Sequence, residues 1–166
     1  MRLIRRILTA IIMMLAFGVT GSRGEVRQFK TLTGRDGLSD ILVNTIYKDY
    51  QGYVWLGTES AIDRYDGNSI VSYPLTDKSK GLGRVNAILH TKQGDLYIGT
   101  TSGLSVMQAG TVQPKRMQSD RISMPVNALD HDRSGNIYIA TDQGLFKYNT
   151  RQKQLDKIST EADLRR

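Results

Sequence analysis

One pattern recurs three times along this chain: DYQGYVWLGT at residues 49–58, TKQGDLYIGT at 91–100 and DRSGNIYIAT at 132–141. Gly52, Gly94 and Gly135 are spaced by 42 and 41 residues. The same two steps relate Asn44, Asn86 and Asn127, and Thr58, Thr100 and Thr141. They also relate Val43, Val85 and Val126. One column is aromatic (Trp55, Tyr97, Tyr138), and aliphatic residues flank it on both sides. Periods of this size mean solenoids, propellers or stacked arrays, because one unit alone cannot bury its apolar faces.

The pattern inside a unit selects among these. Residues 43–49 are a short β-type run with Ile46 at the centre, and Tyr50, Gln51 and Gly52 turn the chain. Residues 53–58 are apolar at three successive positions, Val54, Trp55 and Leu56. A strand with no polar side is covered on both faces. A third run over 62–66 and a fourth, SIVSYP, follow after short turns. Four short strands in about 40–45 residues are the unit of a propeller blade. Helical repeats would need a 3.6-residue periodicity over ten or more residues, which is absent. The fold class is therefore all-β, an incomplete β-propeller of three four-stranded blades over residues 25–159. Its repeats cover about 36–76, 81–118 and 122–159, with one further strand expected at 26–32 and a tail at 160–166.

The repeated polar residues have structural readings. Asp49 and Asp132 precede tight turns and are placed to accept hydrogen bonds from backbone N–H groups two or three residues on, with Thr91 a weaker version. Gly52, Gly94 and Gly135 supply the positive φ of those turns. The Asn column is read as a hydrogen bond that fixes the start of the inner strand. The Trp55, Tyr97 and Tyr138 column is read as core packing rather than a sugar-stacking platform.

The first residues bear on the compartment. Arg2, Arg5 and Arg6 precede an apolar run over residues 7–19. That run falls well short of the ~20 residues needed to span a bilayer. A basic start, a short apolar stretch and small residues after it read as a secretory signal over residues 1–22, cut between Thr20 and Gly24. The alternative is an uncleaved segment that anchors the chain at the inner membrane. The leader carries three Arg and no acid, out of a formal charge of +7. The remaining basic residues are scattered, so no nucleic-acid partner is expected. There is no Cys, which excludes disulfides and thiolate chemistry.

Residues 36–67, DGLSDILVNTIYKDYQGYVWLGTESAIDRYDG, resemble the two-component regulator propeller repeat. Gly-Leu-Ser ahead of the first strand, Val-Asn-x-Ile, Asp-x-x-Gly-x-x-Trp-x-Gly-Thr and Arg-Tyr-Asp-Gly carry the resemblance. Departures are Ala61 in place of a Gly, a missing Gly-Leu lead-in to the third copy, and Ala140 before Thr141. The resemblance implies the periplasmic sensor region of a hybrid two-component system of the Bacteroidetes type, where propellers precede a membrane helix, a kinase, a receiver and a DNA-binding module. The chain is accordingly expected to be the N-terminal piece of such a sensor, lacking its own kinase and responding to glycans. The rivals are a stand-alone periplasmic scaffold or partner-binding module and, further off, a propeller-fold lyase or glycosidase. An oligosaccharide ligand, self-association and a missing C-terminal sensor portion are the expected partners. Ligand groups are expected on the loops between copies, and the isolated chain is expected to bind oligosaccharides weakly or not at all.

No catalytic, metal or cofactor site is expected, and no ligand-binding residue stands out. His90, aligned with Lys48, and His131 are taken to fall one column apart, hence not a symmetric pair. DHDRSGN at 130–136 looks like the start of a calcium loop, but the twelfth position, which needs Glu, is Thr141. Asp63 and Asp66 are a carboxylate pair whose columns hold Ser105 and Gln108 in the next copy, against general acid–base work.

Overall fold

The computed structural model describes residues 29–75, 83–117 and 122–159. The expected leader lies outside them. Among the described residues no helix is long and apolar enough to cross a membrane. Residues 29–32 form no strand, which corrects the expected strand at 26–32 over its described part; residues 26–28 are outside.

Among the described residues a 3-10 turn at Gly34–Asp36 leads into twelve strands. They are β1 (Thr45–Lys48), β2 (Val54–Gly57), β3 (Ala61–Tyr65), β4 (Ile70–Pro74), β5 (Val85–His90), β6 (Leu96–Thr100), β7 (Gly103–Met107), β8 (Lys115–Arg116), β9 (Val126–His131), β10 (Ile137–Thr141), β11 (Gly144–Asn149) and β12 (Gln154–Ser159). They form three antiparallel four-stranded meanders, β1–β4, β5–β8 and β9–β12. These are three blades, and among the described residues they do not close into a ring. The first strands β1, β5 and β9 lie side by side, each against the next.

The cores sit in the seams. Trp55, Ile62, Tyr73 and Leu75 of the first blade meet Val85, Ile88, Leu96, Ile98 and Met107 of the second. Leu89, Tyr97 and Leu104 of the second blade, with Ile122 just before the third, meet Val126, Ile137, Ile139 and Phe146 of the third. The middle blade serves both seams, so β6 is buried along its whole length. That is why its strand has no polar side.

The backbone also joins the first blade to the second. The backbone N–H of Val85 donates to the carbonyl of Thr58 at 3.0 Å. Gly57 and Gly99, near the ends of the second strands, leave room for Val85 and Val126 of the following blade. Burial in the columns records this. Val85 and Val126 are 0% exposed, whereas Val43 of the first blade is 43% exposed. Ile88 is 5% exposed and its equivalent Ile46 is 69% exposed. Full burial of a Val contributes about 1.5–3 kcal/mol, so the seams stabilise the blades and the free face of the first does not.

Candidate functional site

The turn after each first strand is built from the residue that follows the strand. Asp49 Oδ1 accepts from the N–H groups of Gln51 and Tyr53, both at 2.9 Å. Gly52 follows at φ +93°. Asp132 repeats this with Ser134 and Asn136. The acceptors therefore serve N–H groups two and four residues on. Thr91, the middle equivalent, accepts only from the Asp95 N–H.

In the first blade the second oxygen of Asp49 extends the turn into a site. Asp49 Oδ2 accepts from Trp55 Nε1 at 2.8 Å and lies 3.1 Å from His90 Nδ1, on the second blade. The Asp49 carboxylate is wholly buried and the His90 ring nearly so. Burial pushes the Asp49 carboxyl up, but the hydrogen bonds from Trp55, Tyr53, His90 and Gln51 outweigh it and hold the group below the usual carboxylate range. His90 therefore donates from Nδ1, and its Nε2 is the nitrogen without a protein partner. Tyr50 stacks on the His90 ring at 5.4 Å.

Across β2, Trp55 pairs with Arg64 on β3. The Arg64 guanidinium lies over the rings of Tyr53 (4.6 Å), Trp55 (5.9 Å) and Tyr73 (6.0 Å). Among the described residues it makes no ion pair, and its Nε is buried without a hydrogen-bond acceptor. Arg64, His90, Tyr50, Trp55 and Tyr73 line a cleft of about 370 Å³ between the first two blades, closed on the second-blade side by residues 107–112. The next seam has a cleft of about 320 Å³. There Val106 and Tyr148 stand where Arg64 and Met107 stand in the first, and the charged residues are Lys115, Arg116, Lys153 and Asp95.

Both clefts open at the rim that bears the β1–β2 and β3–β4 turns and their equivalents. The loops singled out from sequence fall largely on residues 76–82 and 118–121, which lie outside the described residues. Sequence reasoning missed Arg64 and treated His90 as isolated. The available signal was the cross-strand column Arg64, Val106, Lys147, which varies while the aromatic column beside it does not.

The other sequence candidates take these places. Trp55 and Tyr97 are buried in the two seams, and Tyr138 is half-buried, its hydroxyl 3.4 Å from Asp132 Oδ2. Thr58, Thr100 and Thr141 each donate to the carbonyl three residues on, closing the β2–β3, β6–β7 and β10–β11 turns. Asn44 and Asn127 donate to Glu59 and Asp142 of their own blades. Asn86 donates to the Val126 carbonyl at 3.0 Å and so joins two blades. Gly94 and Gly135 hold the same left-handed turn as Gly52.

His90 and His131 each end a first strand and pair with the equivalent residues Leu96 and Ile137. They share one column, which corrects the expectation that they fall one apart; the 41-residue second step places them together. Their surroundings still differ. The residue of the preceding blade equivalent to Asp49 is Thr91, so His131 stays exposed, with Asp130 at 3.6 Å.

Asp63 and Asp66 are occupied separately. Ser39, from the Gly-Leu-Ser lead-in, donates its N–H and hydroxyl to Asp63 Oδ2 at 2.8 and 2.7 Å. Asp66 accepts from Asn68 and Ser69 in the β3–β4 turn. Asp132, in the stretch resembling a calcium loop, has its oxygens taken by Ser134, Asn136 and Tyr138.

The two component regulator propeller family matches residues 37–60. No curated protein matches the chain. Solved structures do. The extracellular domain of a B. thetaiotaomicron protein described as a one component system is 26% identical, with a TM-score of 0.65, over 78% of this chain and 18% of that one. The extracellular domain of a B. thetaiotaomicron hybrid two component system is 19% identical, with a TM-score of 0.67, over 80% and 20%. A virginiamycin B lyase from Staphylococcus aureus shares the fold at 11% identity and a TM-score of 0.53, over 70% and 40%. The chain thus spans under a quarter of the length of the two extracellular domains.

Proposed function

We propose, from the premise that this chain carries a two component regulator propeller repeat, that it is the ligand-sensing part of an exported signalling protein, responsive to glycans and itself without a catalytic step. The observation that carries the reading is the match to the extracellular domain of a bacterial signalling protein over 78% of the chain. The geometry supports it. Strands are consumed by packing, and the remaining chemistry lies in rim clefts between blades, where binding proteins place their specificity. Asp63 and Asp66 are held separately, one by lead-in donors and the other by turn donors, which speaks against that pair doing acid–base work.

Two measurements test this. Intact mass of periplasmic material should show a chain that begins between Thr20 and Gly24; cytoplasmic recovery would overturn export. Transcription should be compared between cells with and without the gene during growth on a panel of plant and host polysaccharides. The expected result is that induction of a small gene set on one glycan is lost in the deletion. Identical responses on every glycan would overturn the sensor reading.

A further inference from the structure

We infer that the cleft between the first two blades is a binding site for a carboxylate-bearing saccharide, with Arg64 as the residue that takes the carboxylate. This rests on the sensor reading and names the ligand class of one of its clefts.

Guanidinium groups carry five N–H donors in a fixed fork, and a buried N–H without an acceptor is destabilising. Arg64 is held by three aromatic rings rather than by any carboxylate, and its Nε is buried without a partner. A carboxylate matches the edge formed by Nε–H and one terminal N–H, in two parallel charge-assisted bonds. The nearby acid does not supply this. Asp49 has its two oxygens filled by Gln51, Tyr53, Trp55 and His90.

The walls fit the rest of a sugar acid. Tyr50, 58% exposed, offers a ring face that suits the apolar side of a pyranose, the buried Trp55 and Tyr73 form the floor beneath, and His90 adds a polar nitrogen. At about 370 Å³ the cleft holds one or two sugar rings. It is built by two adjoining blades alone, so binding does not wait for the propeller to close. The equivalent place in the second seam has Val106 for Arg64, which gives that cleft a different preference.

Trp55 is the only Trp of the chain and lines the cleft, so its fluorescence reports on it directly. The full chain is titrated with digalacturonate and, in parallel, with neutral digalactose. The expected result is a saturable change with the acid and none with the neutral sugar. Arg64→Gln should weaken the acid by about tenfold or more, equivalent to ~1.4 kcal/mol. Arg64→Lys, which keeps the charge as Lys147 does in the third blade, should weaken it less. Thermal unfolding of both variants checks that the blades stay assembled. Equal responses to acid and neutral sugar, unaltered by Arg64→Gln, would overturn the proposal. So would no saturable change with the acid up to about 10 mM, an affinity weaker than ~3 kcal/mol. The sensor reading fails on its own transcriptional measurement, whichever way this titration falls.

Discussion

A Cβ placed on Gly57 would lie 2.5 Å from Cγ1 of Val85 on the next blade. The relationship recurs between Gly99 and Val126, again at 2.5 Å. A strand residue without a side chain and a β-branched residue facing it set how closely consecutive blades approach.

Gly57→Ala and Gly99→Ala should each therefore overpack a seam and cost about 1–3 kcal/mol, read as a lower urea midpoint. The third blade has Ala140 in that column, with no described blade beyond it. Ala140→Gly should change stability by no more than the ~0.5–1 kcal/mol that Gly costs within a strand. A Gly57→Ala chain as stable as the parent would mean that the seams yield more easily than their packing shows.

The free face of the first blade should make the isolated chain associate. Ile41, Leu42, Val43 and Ile46 are exposed, and among the described residues no blade precedes β1. Closed propellers use ~4–8 blades to cover such faces. Light scattering on residues 25–166 should show oligomers, and Ile46→Lys should shift them toward monomer. A compact, cooperatively unfolding monomer would contradict the expectation.

Acid should destabilise the first seam through Asp49. Its folded pKa is depressed, so its contribution is present above the unfolded value of about 3.9 and lost as pH falls through the folded one. Asp66 and Asp132 act in the same direction, held down first by the Ser69 N–H and the Asn136 side chain respectively. Asp49→Asn should cost about 1–3 kcal/mol at neutral pH, because an amide cannot accept from all four donors. It should also flatten part of the acid-side decline. Urea midpoints that fall in parallel for parent and variant would remove Asp49 from that role.

Alkali should loosen the second seam through Tyr97. Burial, followed by the neighbouring Tyr148 and Asp95, pushes its phenol up to about 12. A raised phenol leaves stability intact below the unfolded value of about 10 and removes it as pH climbs toward the folded one. Tyr148 shifts in the same sense, first from burial and then from Asp95. Tyr97→Phe should retain more stability than the parent between about pH 10 and 12, followed by circular dichroism.

The blades were legible because repetition is a property of sequence. The 42- and 41-residue steps, the two-sided apolar run around Trp55 and the Asp-x-x-Gly turns are local, and each unit satisfies them within its own hairpins. The turn hydrogen bonds of Asp49, Asp132 and the Thr column follow from residues at most four apart.

What joins one blade to another was decided only by tertiary structure. Asp49 and His90 are 41 residues apart, and nothing in either neighbourhood says that they meet. Arg64 reads as one letter of a repeat motif until Tyr53, Trp55 and Tyr73 close around it and leave its Nε without an acceptor. Asn86 likewise reaches Val126 of the next blade, while Asn44 and Asn127 stay at home. Periodicity determines the unit because a strand's own neighbours satisfy its backbone. The site depends on which side chains two packed faces bring together, and that is set by the approach of one blade to the next, which the small Gly57 permits and the buried Val85 completes.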